Sequence, residues 1–166
     1  GFGYHLKDAL AKRLSVAPAQ LVLGNGSNDI LELATMGYLR PGEAAVYAQH
    51  AFAVYPLATH ARGARGIEVP ARDLAHDLPA MRAAITPQTR VVFVANPNNP
   101  TGTHVDRDTL LRFVNAVPAN VLVALDEAYI EFLDNPLDLV SEIATGLRPN
   151  VLLMRTLSKF GLAGIR

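Results

Sequence analysis

Arg90-Val91-Val92-Phe93-Val94-Ala95, followed without a break by Asn96-Pro97-Asn98-Asn99-Pro100-Thr101-Gly102, decides the fold. The first half is apolar at consecutive positions, so neither face of the strand it predicts can meet water. Strands of that kind belong to parallel sheets covered on both faces. The second half is dense turn chemistry, yet two X-Pro steps and three asparagines exceed what a turn requires. A buried strand therefore ends in a polar cluster.

The same pattern repeats on either side. Toward the C-terminus, Val121-Leu122-Val123-Ala124-Leu125 ends in Asp126-Glu127-Ala128-Tyr129, and Val151-Leu152-Leu153-Met154 leads into Thr156-Leu157-Ser158-Lys159. Toward the N-terminus, Leu21-Val22-Leu23 reads as a short buried strand that ends in Gly24-Asn25-Gly26-Ser27-Asn28-Asp29. Further strands are expected at 45–48 and 67–69. Leu6, Leu10 and Leu14 recur at helical spacing over 4–14. Helices are also expected from the glycine-rich turn to about Tyr38, over 51–59 with Pro56 distorting its first turns, from near Asp77 to Ile85, from Asp106 or Asp108 through Val114, and weakly over 139–147. Strands alternating with helices predict an α/β fold, a mostly parallel sheet with helices on both faces. Ligands bind at the carboxyl ends of strands in such sheets, so the polar clusters are candidates for one shared pocket.

Composition narrows the function. Half of the 166 residues are hydrophobic and 18% are charged, which fits a buried sheet and excludes disorder. The formal net charge is zero, so nothing electrostatic favours nucleic acid or an anionic membrane, and no long apolar span is visible. There is no cysteine, which excludes disulfides, thiolate metal sites and a cysteine nucleophile, and is compatible with a reducing, cytoplasmic setting. The five histidines show no metal-ligand spacing.

The strand-end clusters carry a consistent chemistry. Lys159 lies beside two hydroxyls, Thr156 and Ser158, and Arg166 follows it by seven residues. An amine so placed can bond an aldehyde cofactor covalently, with hydroxyls and a guanidinium holding its phosphate. A glycine-rich turn entering a helix at Gly26, Ser27 and Asn28 offers free N–H groups to the same phosphate, although Ser27 or Asn28 acting as an ordinary cap explains it equally well. Asp126, at the end of an apolar strand, can pair with a protonated ring nitrogen. Asn99 and Tyr129 can donate to a ring oxygen, and Phe52 can lie against the ring. Singly, each has a plainer explanation: a solvated lysine, a turn aspartate, a core aromatic. Their joint order along the chain carries the argument.

Those stretches, with Ala51-Phe52-Ala53-Val54-Tyr55-Pro56 and Asp126-Glu127-Ala128-Tyr129-Ile130-Glu131-Phe132, resemble the fold-type I pyridoxal-phosphate aminotransferases over essentially the whole chain. The segment from Asp126 to Phe132 leans toward the histidinol-phosphate branch. The resemblance implies pyridoxal 5'-phosphate on Lys159, Asp126 at the pyridine nitrogen, and Asn99 and Tyr129 at the ring oxygen. It also implies Phe52 stacked on the ring, and Gly26, Ser27, Asn28, Thr156, Ser158 and Arg166 around the phosphate. The implied reaction moves an amino group between L-histidinol phosphate and 2-oxoglutarate, in histidine biosynthesis, in a homodimer. Lys159 to Arg166 is one residue shorter than in many members. Members also carry an N-terminal arm and a C-terminal small domain. Residues 1–166 are therefore expected to be an incomplete large domain, not competent alone. Rival readings are an aromatic amino-acid aminotransferase, a threonine-phosphate decarboxylase, or a non-catalytic α/β binding domain. A dinucleotide-binding fold is a weaker rival, because Gly24-Asn25-Gly26 lacks the third glycine.

Overall fold

A computed structural model describes residues 3–159. Five strands form one parallel sheet: β1 (Ala44–Ala48), β2 (Arg65–Val69), β3 (Thr89–Ala95), β4 (Leu122–Asp126) and β5 (Val151–Met154), in the order β2-β1-β3-β4-β5. The chain steps from β1 outward to β2, then returns past β1 to β3 and continues to β4 and β5. Strand order thus reverses between β1 and β3, the position at which doubly wound sheets open a ligand crevice.

Right-handed crossovers require the helices to change face where the order reverses. They do. Helices α2 (Ser27–Tyr38) and α3 (Val54–Ala61) pack on one face, where Leu31, Ala34 and Tyr55 meet Ala45, Tyr47, Val91, Phe93 and Ala124. Helices α4 (Leu78–Ala83), α5 (Arg107–Ala116) and α6 (Val140–Ala144) cover the other, where Leu78, Met81, Leu110, Phe113 and Ile143 meet Val46, Val92, Val94, Val123 and Leu125. Successive strand residues alternate between these two cores, so continuous apolar runs are needed. Val91 through Val94 are fully buried, each valine side chain contributing roughly 1.5–3 kcal/mol on burial. Helix α1 (Tyr4–Leu14) carries Tyr4 and Leu6 on an exposed side and buries only Ala11.

Helix starts follow local chemistry. Asp77 caps α4 by accepting from the Ala80 N–H, and Asp106 caps α5 by accepting from the Thr109 N–H. Two expectations fail. Residues 21–23 form no strand. The segment pairs with neither edge strand, β2 or β5, and Val22 is 60% exposed, so it lacks the burial a strand core needs. Helix α3 begins at Val54, not at residue 51. That places Pro56 in the first turn, where its missing N–H has no intrahelical acceptor to lose, and the helix is not broken. Among the described residues no helix is long and apolar enough to cross a membrane, and no group of His, Asp or Glu could hold a metal.

Candidate active site

The carboxyl ends of the strands gather the polar residues. Of the buried polar side chains, His76, Asn96, Asn98, Asp126 and Glu127 all lie there. Asp126 is the last residue of β4 and is 6% exposed. Its Oδ2 accepts from the Tyr55 hydroxyl at 2.7 Å and its Oδ1 from the Ala128 N–H at 3.1 Å. Tyr55 comes from α3 and is itself fully buried, its ring stacked on Phe93 at 4.7 Å. Burial first, and then the Asp126 charge, push the Tyr55 hydroxyl far up, so it stays protonated and donates. Burial also pushes Asp126 above the ordinary carboxylate range, against the pull of Tyr55, the Ala128 N–H and the positive charge of Lys159. No cation among the described residues lies within ion-pair distance of Asp126.

Lys159, five residues past the end of β5, reaches the same place. Its Nζ stands 5.2 Å from the centre of the Tyr129 ring, and its charge is felt at Asp126. The side chain remains exposed. Tyr129 is part-buried and opens the 3-10 turn Ile130–Phe132 directly after β4. Phe52 is part-buried, and its ring stands edge-on to Tyr55 at 5.9 Å, one ring removed from Asp126. Asp126, Tyr129, Lys159 and Phe52 therefore share one strand-end region. Tyr55, not among the site residues expected from the sequence, is the side chain that anchors Asp126. Phe52 precedes α3, so the two aromatics do not share a helical face.

The phosphate-type residues fall into two groups. Thr156 and Ser158 bring their hydroxyls together at 2.8 Å, and the Ser158 N–H donates to Thr156 Oγ1 at 3.2 Å. Gly26 is the N-cap of α2 with φ of 77° and offers no side-chain cap. Ser27 and Asn28 are the first two helical residues, so the ordinary capping explanation does not hold for them. Asp29 instead folds back to accept from the Asn25 N–H at 2.8 Å. Gly24 is packed so closely that a Cβ would stand 2.7 Å from Asp29 Cβ. The short connection 39–43 sets the C-terminus of α2 at the start of β1. The N-terminus of α2 accordingly points back toward the carboxyl ends of the strands. Among the described residues no hydrogen bond joins Ser27 or Asn28 to Thr156 or Ser158. Asn99 is part-buried on the β3 loop and has no hydrogen bond of its own side chain to the Asp126 group. Arg166 lies outside the described residues.

Comparison with known proteins agrees with this architecture. Residues 3–166 match the family model for aminotransferase class I and II. The chain is 56% identical over 169 residues to histidinol-phosphate aminotransferase 2 of Nitrosospira multiformis, covering 100% of this chain and 43% of that protein. It is also 56% identical over 168 residues to histidinol-phosphate aminotransferase 1 of Thiobacillus denitrificans, covering 100% of this chain and 44% of that one. The crystal structure of histidinol-phosphate aminotransferase from Sinorhizobium meliloti in complex with pyridoxal-5'-phosphate superposes with a TM-score of 0.87 at 30% identity, over 98% of this chain and 45% of that one. The chain thus spans less than half the length of the relatives it matches. A parallel sheet with its buried polar residues at the carboxyl ends, together with a family match over almost every residue, places this chain in the class I and II aminotransferase family.

Proposed function

We propose that the chain is the cofactor-binding large-domain part of a pyridoxal-phosphate aminotransferase that exchanges an amino group between L-histidinol phosphate and 2-oxoglutarate. The products of that exchange are imidazole acetol phosphate and glutamate. The substrate rests on the names of the 56% identical relatives. The cofactor rests on the geometry of Asp126, a buried acid with two hydrogen-bond donors and no cation beside it. A protonated ring nitrogen supplies the missing charge, so the residues present fit the group.

When bound, pyridoxal phosphate supplies an electron sink for negative charge at the substrate carbon. Asp126 holds the ring nitrogen protonated, and Tyr55 holds Asp126. Lys159 would hold the cofactor through its Nζ and, as a free amine, could move a proton at the substrate carbon as general base. Tyr129 and Asn99 could donate to the ring oxygen, and Phe52 could exclude water from one face of the ring. Thr156 and Ser158 present hydroxyls, the uncapped first turn of α2 presents N–H groups, and Arg166 a guanidinium, to the phosphate. The enzyme is a cytoplasmic homodimer taking a small amino donor and a 2-oxo acid acceptor.

The test uses the full-length protein. A near-visible absorbance band that borohydride bleaches, leaving the label on Lys159, is the expected result, and Lys159→Ala abolishes it. Turnover of L-histidinol phosphate with 2-oxoglutarate should exceed that of any aromatic amino acid. A colourless protein sinks the cofactor reading. A protein with the band that acts on phenylpyruvate and not on imidazole acetol phosphate sinks the substrate reading alone.

A further inference from the structure

The sheet is split at the place where the ligand crevice opens. The ladder between β1 and β3 stops at Val46 and Val92, whereas β3 stays paired with β4 as far as Ala95 and Asp126. Beyond Val92 the side of β3 that faces β1 therefore has no strand partner. One bank of this split carries His50 and Phe52 after β1. The other carries Asn98 and Asn99 after β3.

Two buried side chains cross or plug the gap in place of backbone. Asn98 is 3% exposed. Its Nδ2 donates to the His50 carbonyl on the opposite bank at 2.6 Å and to Thr101 Oγ1 on its own at 2.8 Å. His76 is 7% exposed and comes from the connection between β2 and α4. Both backbone groups of Ala95 converge on its Nε2, the oxygen at 2.9 Å and the nitrogen at 3.3 Å. These are the groups a continuing β1 would have engaged. Burial pushes the imidazole below its ordinary value, against the Ala95 carbonyl, so the ring is neutral and can donate from only one nitrogen. Its Nδ1 is buried without a partner. A buried ring nitrogen without a partner among the described residues is a cost that packing alone does not require.

We infer that Asn98 and His76 are positioning residues: Asn98 stitches the two banks of the split, His76 holds the tip of β3, and together they set the spacing between Phe52, against one face of the cofactor ring, and Asn99, at its oxygen. The inference rests on the cofactor reading above. Neither residue touches the cofactor. Each acts through the loop it holds: Asn98 through the carbonyl two residues before Phe52, His76 through the residue before the Asn96–Gly102 loop.

The test is a set of three substitutions in the full-length protein: Asn98→Ala, His76→Leu and His76→Gln. Glutamine offers both a donor and an acceptor to Ala95, while leucine offers neither. Cofactor affinity and the position and induced circular dichroism of the near-visible band are measured alongside the melting temperature without cofactor. The expected result is a loss of affinity of roughly tenfold in Asn98→Ala and His76→Leu, the size of one buried hydrogen bond, with a displaced band. His76→Gln restores both readouts. If His76→Leu fails to fold, Asn98→Ala and His76→Gln carry the test. A wild-type protein without the band overturns the functional reading itself. A wild-type protein with the band, and variants that match it, overturns only the stitch, as does a glutamine variant no better than the leucine one.

Discussion

Asp126 and Glu127 are consecutive, 6% and 5% exposed, and both pushed up by burial, yet the two sides of the β4 tip treat them differently. Glu127 belongs to the side covered by α5. Its Oε2 meets the Arg155 guanidinium at 2.7 Å, and Arg155 also approaches Asp138 at 3.9 Å. Asp126 belongs to the side covered by α3 and has a phenol and a backbone N–H but no adjacent cation. A buried carboxylate supplied with its own arginine is structurally complete. One given only neutral donors is a costly arrangement in isolation and an economical one if a ligand brings the charge. The pairing, more than the burial, separates the structural acid from the functional one.

The sharpest way to break this comparison is Asp126→Asn. It removes the charge and keeps the shape, and should cost on the order of a hundredfold in turnover, as loss of one preorganised electrostatic partner does. The melting temperature without cofactor should hold or rise, because a buried charge is gone. A fall in stability with unchanged turnover would reverse the roles assigned to the two acids.

Arg155→Gln should do the opposite, with a small effect on the cofactor band and a large one on stability. Glu127 is raised from near 4.5 to about 7 in the folded chain. A raised carboxyl pKa favours folding below the unfolded value and loses that advantage as pH climbs from about 4.5 through 7. Arg155 offsets the loss by holding the ionised form, so its removal should steepen the decline. The expected cost is roughly 2–4 kcal/mol at pH 8 and much less at pH 5. It falls below that of a fully buried pair because Arg155 is partly solvated. Denaturant unfolding at the two pH values measures it, and a pH-independent cost would remove Glu127 from the explanation.

Tyr55→Phe sharpens the other side. The ring and its stack on Phe93 remain, but Asp126 loses its 2.7 Å donor. Leaving that oxygen unsatisfied costs about 1–3 kcal/mol and raises Asp126 further. The charged form that pairs with the cofactor becomes harder to hold, and affinity should drop about tenfold. An equilibrium titration of the near-visible band reads this directly. The smallest effect belongs to Glu127→Gln, since glutamine keeps an acceptor for Arg155, which is partly solvated and also approaches Asp138. Stability at pH 7 should change by less than about 1 kcal/mol, and the slope between pH 4.5 and 7 should flatten.

Much of this was legible in the chain itself. Val91 to Val94 could only be a strand covered on both faces, and the alternation of such runs with helical periodicity predicted the layered sheet. The sequence marks Asp126, Tyr129 and Lys159 as strand-end residues, and the structure brings them to one region. Other features were not legible. Residues 21–23 have the composition of a strand and no neighbour to pair with. Nothing local marks Tyr55, because its hydroxyl lies against a carboxylate 71 positions away. His76 carries no local signal, and although Asn98 belongs to a cluster richer than a turn requires, its reach across the gap between β1 and β3 is written in no local pattern.

Local patterning in the chain was enough to place most strands and helices, residues 21–23 excepted, and to mark which strand ends are polar, because hydrophobic periodicity and turn chemistry act over a few residues. Only the tertiary structure decided the strand order and its reversal, the alternation that aims Asp126 at Tyr55 and not at Arg155, and the burial of His76. Those depend on contacts between segments tens of residues apart. A face assignment flips with a shift of one residue in register, which no local pattern records.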